Sequence, residues 1–341
     1  MSVLHLLGTA GEGGAETYFV DLVAGLARAG VRQAAAIRRN ANRQAALAAA
    51  GVPTETFRFG GPIDILTRPK VAGFARRQDV RLSLAWMNRA ARHTPAGPAR
   101  IGRLGGYYNL KYYRGFDELV ANTEDIAEWI VGQGWPAGKV RHIPNFAAAP
   151  PETAPAERGP LNTPADAPLL LSMGRLHDAK AHDVTLQALT QIPDAFLWIA
   201  GVGPQEAKLK AMAAALGVAD RVRFLGWRTD ASALYRAADI CVFPSRYEPL
   251  GNVVIQAWAH GLPVVAAASQ GPAALIRDGE DGLLVPVDEA QALAAAITRL
   301  LADPMLRIRL VQNGSDRVEA EFSEAAVVAQ WRALFADYGA A

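Results

Sequence analysis

Cysteine is all but missing from this chain of 341 residues. Cys241 stands alone, so no internal disulfide can form, and its place in the apolar run Ile240-Cys241-Val242-Phe243 suits a core position. That usage predicts a reducing compartment, the cytoplasm. Apolar runs of about 18 residues are absent too, and with them any expected transmembrane helix. Met1 to Gly8 lack the basic start and long apolar core of a secretory signal; they read as a first buried strand entering a glycine loop. Histidine is sparse, six in all, and the offset between His177 and His182 is not that of two metal ligands on one helix face, so no metal is expected. A complete G-x-G-x-x-G with an acid at the end of the following strand is missing, which argues against a nicotinamide enzyme. No fixed short period recurs.

What is present describes a globular protein with a sizeable core: 51% hydrophobic residues, 20% charged, and a length that suits two domains. The small net charge of +2 hides an asymmetry. Residues 1–145 hold 19 basic and 11 acidic side chains, and the remainder 16 and 22. Between Arg68 and Arg114 there are eleven cations and one acid, Asp79. Such a tract points to an anionic partner, or else to a solvated arginine-rich face. Its arginines are not interleaved with an aromatic platform, so nucleic acid is not expected.

Strand and helix patterns alternate throughout, which predicts an α/β fold of two doubly wound, Rossmann-like domains facing a cleft. Leu4–Leu7, Leu82–Trp86 and Leu119–Ala121 read as strands of the first domain, placed at 1–148. Its first helix, from Ala15 to Ala29, puts Tyr18, Phe19, Leu22, Val23 and Leu26 on one face. The stretch from Phe146 to Ala167 is rich in Pro and Ala without apolar periodicity, and 149–166 is read as a linker. The second domain, 167–322, alternates more cleanly, with strands at Leu169–Met173, Ala195–Ile199, Val222–Leu225, Ile240–Phe243 and Pro263–Ala266. A last helix within 323–341 can pack back on the first domain. Ligands of such folds bind beyond the carboxyl ends of the strands. The loops Gly8–Gly14, Gly174–Lys180, Gly201–Pro204, Gly226–Asp230 and Ser245–Gly251 all fall on that edge.

Those loops carry the chemistry. Arg175 and Lys180 place two cations on one turn, which suits a diphosphate. Glu248 is a lone carboxylate just before a helix whose first amides are unsatisfied, so one end of a ligand can offer hydroxyls and the other phosphates. Gly13 and Gly14 open the first helix and let backbone approach a phosphate or an acceptor closely. Gly201-Val202-Gly203-Pro204 alone is a weak dinucleotide signal. Arg228, after Gly226-Trp227, is open to two readings, stacked on a base or solvated.

Pro244-Ser245-Arg246-Tyr247-Glu248-Pro249-Leu250-Gly251, followed by a helix and His260-Gly261-Leu262-Pro263-Val264-Val265, resembles the donor signature of the retaining nucleotide-sugar glycosyltransferases of family 4 (group 1), which have the GT-B fold. The resemblance implies that Arg175 and Lys180 grip the donor diphosphate, and that Glu248 binds hydroxyls of the transferred sugar. The backbone of Leu250, Gly251, Asn252 and Val253 then faces sugar and phosphate, the base lies by Trp227 and Arg228, and Gly14 and Gly203 line the donor. It assigns catalysis to Arg175, Lys180 and Glu248, with a nucleotide-diphosphate sugar as donor substrate and no cofactor. Two departures stand out. The second acid, which binds ribose, is replaced by Gln256, a neutral group with one acceptor and two donors. A His usual on the first domain is not found near 100–109; Gly13, Arg103, Tyr107, Asn109 and Lys111 are the acceptor-side candidates, and His93 is not assigned that role. Transfer to a glycan or lipid-linked acceptor, in cell-envelope or lipopolysaccharide synthesis at an anionic membrane face, is the expected function. A sugar-nucleotide epimerase of the same architecture and a non-catalytic sugar-nucleotide binder are the alternatives.

Overall fold

A computed structural model describes residues 2–11, 13–61, 63–147 and 152–340. Glu12 of the first glycine loop and residues 149–151 of the expected linker lie outside the described residues. The chain divides into two compact units, one of residues 1–145 with 324–341 and one of 146–323.

The first unit is built on seven parallel strands: β1 (Ser2–Leu7), β2 (Gln33–Ile37), β3 (Thr54–Thr56), β4 (Val80–Trp86), β5 (Ala99–Leu104), β6 (Glu118–Ala121) and β7 (Val140–His142), in the order β3-β2-β1-β4-β5-β6-β7. All six residues of β1 are buried, as befits the centre of a sheet covered on both faces. His5 shares that burial, which pushes its pKa down to about 3 and keeps it neutral. Leu7 pairs with Ile37 on one side and Trp86 on the other, so the strand order reverses beside β1. The loops after β1 and β4 therefore flank a switch point, where doubly wound sheets receive ligands. The helix Gly14–Arg28 buries Tyr18, Phe19, Leu22, Val23 and Leu26, the face anticipated from spacing. Thr123 caps the helix Glu124–Gly132 by accepting the Ile126 amide at 3.1 Å, with Glu124 and Asp125 in the first turn. The final helix, Glu324–Asp337, belongs to this unit: Arg28 forks onto Glu324, Arg141 pairs with Asp337, and Trp331 and Phe335 are buried.

The second unit has six parallel strands, β8 (Leu169–Met173), β9 (Phe196–Ala200), β10 (Val222–Gly226), β11 (Ile240–Phe243), β12 (Val264–Ala267) and β13 (Leu283–Val285), in the order β10-β9-β8-β11-β12-β13. Its switch point falls between β8 and β11, which pair through Leu170–Ile240 and Leu171–Cys241. The described part of the Pro- and Ala-rich stretch is fastened to this unit. Arg158 donates to the carbonyls of Ala165, Ala167 and Ala237 and pairs with Asp239, and the Ala156 amide donates to Ala233. Arg158, with Arg223 donating to the Leu161 and Asn162 carbonyls, anchors a segment that has no periodic apolar face.

Candidate active site

Three strand ends of the second unit are laced together by backbone. The Gly174 amide donates to Ala200 at 3.0 Å, Gly201 to Gly226 at 2.8 Å, and Leu176 to Val202 at 3.1 Å. Gly174 and Gly201 hold φ of 154° and 149°, open to glycine alone. A Cβ on Gly201 would stand 1.9 Å from the Gly174 oxygen, and one on Gly203 2.3 Å from the Leu176 oxygen. The glycines of the 201–203 loop thus answer to the close approach of two loops. The lacing presents Arg175 to solvent, with no hydrogen-bond or ion-pair partner among the described residues.

Lys180 ends a short turn, Asp178–Lys180, that His177 caps by accepting the Ala179 amide at 3.2 Å. Ala181, next in line, is buried in the left-handed region at φ 51°. The Lys180 stem lies over Gly174, and its Nζ sits 5.4 Å from the centroid of the Phe243 ring. Nζ donates to Glu248 Oε2 in a partly buried ion pair. The other carboxylate oxygen faces the helix that follows, 3.3 Å from the Gly251 amide and 3.5 Å from that of Leu250. Gly251, at φ 91°, opens the helix Asn252–Ala259, in which Asn252 and Val253 form the half-buried first turn and Leu250 just ahead is buried. Loops after β8 and β11, far apart in sequence, thereby bring Arg175, Lys180 and Glu248 to one sheet edge, with a helix N-terminus as the fourth party.

Two residues that sequence reasoning missed hold this arrangement. Arg246 forks onto Asp183 at 2.7 and 2.9 Å, pairs with Asp288, and donates to the Asp178 carbonyl, tying the two loops side by side. Burial alone would raise the Asp183 pKa; the Arg246 fork outweighs it and holds the carboxyl below its ordinary value. Gly271, in the helix Gln270–Leu275, donates its amide to the Glu248 carbonyl at 2.7 Å. A Cβ there would lie 2.6 Å from the Leu250 carbonyl carbon. Neither partner is near in sequence, and the pattern around Gly271 carries no signal beyond a glycine after Ser269-Gln270.

Gln256 is exposed, and its Oε1 accepts from the Tyr235 hydroxyl at 3.2 Å. Burial pushes the Tyr235 pKa well above its ordinary value, so the hydroxyl stays a donor. Tyr235 stacks on His260 at 4.7 Å, and His260 reaches Ser232 at 3.0 Å. The Gln256 amide nitrogen is left toward solvent. Trp227 is 65% exposed. Arg228, left open between two readings, is committed to a fork onto Asp230.

On the first unit the candidates are less concentrated. Gly13 caps the first helix and Gly14 begins it. Arg43, also missed, holds the preceding loop by donating to the carbonyls of Thr9 at 2.9 Å and Gly11 at 2.8 Å. Arg103 is 3% exposed at the end of β5. It donates to Asn145 Oδ1 and lies over the rings of Trp86 and Tyr18 at 4.7 and 5.2 Å, with no carboxylate pairing to it among the described residues. Burial lowers its pKa from the ordinary arginine value. Tyr108 sits within electrostatic reach of both Arg103 and Glu16, which joins this loop to the start of the first helix; burial is the larger cause of its raised pKa. Tyr107 donates to Asp125 and meets Trp129 edge-on at 5.3 Å. Asn109 and Lys111 are exposed, Lys111 over Tyr112, and nothing gathers them around Arg103. His93 is a core residue, edge-on to Phe59 and 3.3 Å from the Gly60 carbonyl.

The profile of the family "Glycosyl transferases group 1" matches residues 154–317. The lipopolysaccharide core biosynthesis glycosyltransferase LpsE of Rhizobium meliloti (strain 1021) is 39% identical over 329 residues, which span 95% of this chain and 96% of that protein. The chain belongs to the group 1 glycosyl transferases. LpsD of the same strain, named for the same process, shares 37% identity with the transferase over 340 residues, 98% of each. Among solved structures, HepE of Anabaena in complex with UDP-glucose superposes with a TM-score of 0.85 over 99% of the transferase and 100% of that chain, at 22% identity. That likeness shows the fold, two parallel-sheet domains of the GT-B architecture. Family membership makes the protein a glycosyltransferase and sets aside the epimerase and binder alternatives.

Proposed function

We propose that the transferase takes its sugar from a nucleoside-diphosphate sugar held on the second unit and passes it, with retention of configuration, to a hydroxyl of a glycan or lipid-linked acceptor in lipopolysaccharide core synthesis. The observation that carries this is the Lys180–Glu248 pair at the mouth of the helix Asn252–Ala259. Its halves attract opposite ends of such a donor. Phosphate oxygens displace the carboxylate from Lys180 and gain Arg175; Glu248 is then released to accept hydrogen bonds from sugar hydroxyls. The amides of Leu250, Gly251 and Asn252 offer dipolar stabilisation, with Val253 beside them. Gly14 and Gly203 permit close backbone approach, the base lies by Trp227 and Arg228, and Gln256 meets the ribose.

Chemistry then needs no nucleophile from the protein. As the glycosidic C–O bond breaks, negative charge grows on the departing diphosphate, where Arg175, Lys180 and the helix amides stabilise it. A diphosphate oxygen takes the proton of the acceptor hydroxyl while the hydroxyl oxygen bonds to the anomeric carbon on the face the diphosphate leaves. Those cations meet the diphosphate charge without a metal in this reading. Gly13, Arg103, Tyr107, Asn109 and Lys111 are assigned to the acceptor, and the surplus of cations in residues 1–145 suits an anionic acceptor at the inner membrane face. The names of LpsE and LpsD, and the UDP-glucose bound by HepE, support this choice of process and donor class.

Thermal unfolding in the presence of nucleotides tests the proposal. UDP or another nucleoside diphosphate at about 100 times its Kd should add roughly 2.7 kcal/mol of stability. Absence of a shift with every common nucleoside diphosphate and its sugars would overturn the assignment. Gln256→Glu should lower the donor KM by about three- to tenfold, since a carboxylate bonds ribose hydroxyls more strongly than an amide while still accepting from Tyr235. Steady-state kinetics with varied donor read this; an unchanged or raised KM removes Gln256 from the ribose contact.

A further inference from the structure

Beyond β3, on the carboxyl edge of the first sheet, the chain makes a turn that leads into the helix Thr67–Arg77. Three large apolar side chains on it stand in solvent: Ile63 is 92% exposed, Ile65 78% and Leu66 60%. Clustered exposure of this kind marks a contact surface. The turn is held in shape. Asp64 Oδ2 accepts the Gly60 amide and the Thr67 hydroxyl, both at 2.6 Å, and Oδ1 accepts the Thr67 amide at 3.1 Å. From behind, His93 meets the Gly60 carbonyl. The Thr67 hydroxyl and the Gly60 amide hold the Asp64 carboxyl well below the usual carboxylate range. The one acid of the turn is thus engaged by its own backbone, while its apolar neighbours point away.

Cations flank these prongs in the sequence and along the helix that follows. Arg58, Arg68, Lys70 and Arg76 are exposed and have no ion-pair partner among the described residues; Glu55, the other nearby acid, is taken by Arg77. The helix turns Val71, Phe74 and Ala75 inward, which leaves its basic side chains outward. Side chains as exposed as Ile63 and Ile65 stand on a projection, which suits entry into a fluid surface better than a fit to a shaped protein pocket.

We propose that residues 63–66 and the helix Thr67–Arg77 dock this protein on an anionic lipid bilayer, with Ile63, Ile65 and Leu66 entering the boundary between headgroups and acyl chains and Arg58, Arg68, Lys70 and Arg76 contacting lipid phosphates. This rests on the reading that the acceptor is lipid-linked, and it adds the element that reaches the lipid.

Co-sedimentation with phosphatidylcholine vesicles, with and without phosphatidylglycerol, tests it. Wild-type protein should pellet with the anionic vesicles, less as salt rises, and stay in solution with the neutral ones. The triple variant Ile63→Ser, Ile65→Ser, Leu66→Ser should lower the partition coefficient about 100-fold. Arg68→Gln with Lys70→Gln and Arg76→Gln should weaken binding and flatten its salt dependence. All these positions are solvent-exposed, so both variants should keep the wild-type melting temperature and the wild-type thermal shift with UDP. That shift reads the donor proposal separately from the vesicles. Wild-type protein that ignores anionic vesicles, or an apolar triple variant that binds them unchanged, overturns the inference. A dimer in analytical ultracentrifugation that the triple variant abolishes, without vesicle binding, assigns the surface to a second copy instead.

Discussion

Lys180→Ala should lower kcat/KM for sugar transfer by about a thousandfold. The amine is positioned by its stem over Gly174 and by the Phe243 ring, and in the unliganded protein it is neutralised by Glu248. Its stabilising effect grows as the diphosphate takes up charge, so the loss falls on kcat as well as on donor affinity. Glu248→Ala should also lose on the order of a hundredfold, by another route. UDP without its sugar should bind that variant as well as wild type or better, because Lys180 no longer has to leave a carboxylate. Transfer kinetics and UDP titrations separate the two. Because the two side chains touch, the double variant should lose less than the product of the single effects. A Lys180→Ala enzyme within tenfold of wild type, or a Glu248→Ala enzyme that has lost UDP affinity, is incompatible with the roles assigned. Lys180→Ala should also lose stability, because the Glu248 carboxylate, 14% exposed, is left without its cation.

What could be read from the chain beforehand was what is local. The apolar runs at Leu169–Met173 and Ile240–Phe243 became β8 and β11, and the glycines and charged residues after them became the loops of the site. The strand Gln33–Ile37 escaped because Gln-Ala-Ala-Ala-Ile has one β-branched residue and no alternation. The whole of β5 escaped because it carries Arg100 and Arg103, and a cation at a buried position contradicts every periodicity rule until Trp86 and Tyr18 are seen beneath it. Arg246 reads as one more surface arginine until Asp183 is found opposite, and Gly271 reads as a turn until the Glu248 carbonyl is found against it. By contrast, the pairing of Arg228 with Asp230 joins residues two apart in the chain, a spacing that is visible in the sequence itself.

Gly201→Ala should cost the second unit about 3 kcal/mol or more, and most of that should come from contact rather than from backbone preference. At φ 149° an alanine is strained wherever it sits. Here its Cβ would also stand 1.9 Å from the Gly174 oxygen, and a backbone carbonyl cannot swing aside as a flexible side chain can. Relief requires the 174 and 201 loops to part, which strains or breaks the bonds from Gly174 to Ala200 and from Gly201 to Gly226. Gly217→Ala is the control for a positive-φ glycine with open space around it. Its φ is 68°, and a Cβ there meets nothing within 4 Å, so it reports the left-handed penalty alone, about 1–2 kcal/mol. Urea unfolding of the two variants measures the difference; equal losses would mean that the loops are not locked together as described. The same parting moves Arg175, which rides on the 174 loop, so the fraction of Gly201→Ala that remains folded should bind UDP at least tenfold more weakly. Gly217→Ala should keep full affinity at a modest loss of stability. If Gly201→Ala keeps it too, the cation at the end of β8 is not positioned by the lacing of these strands.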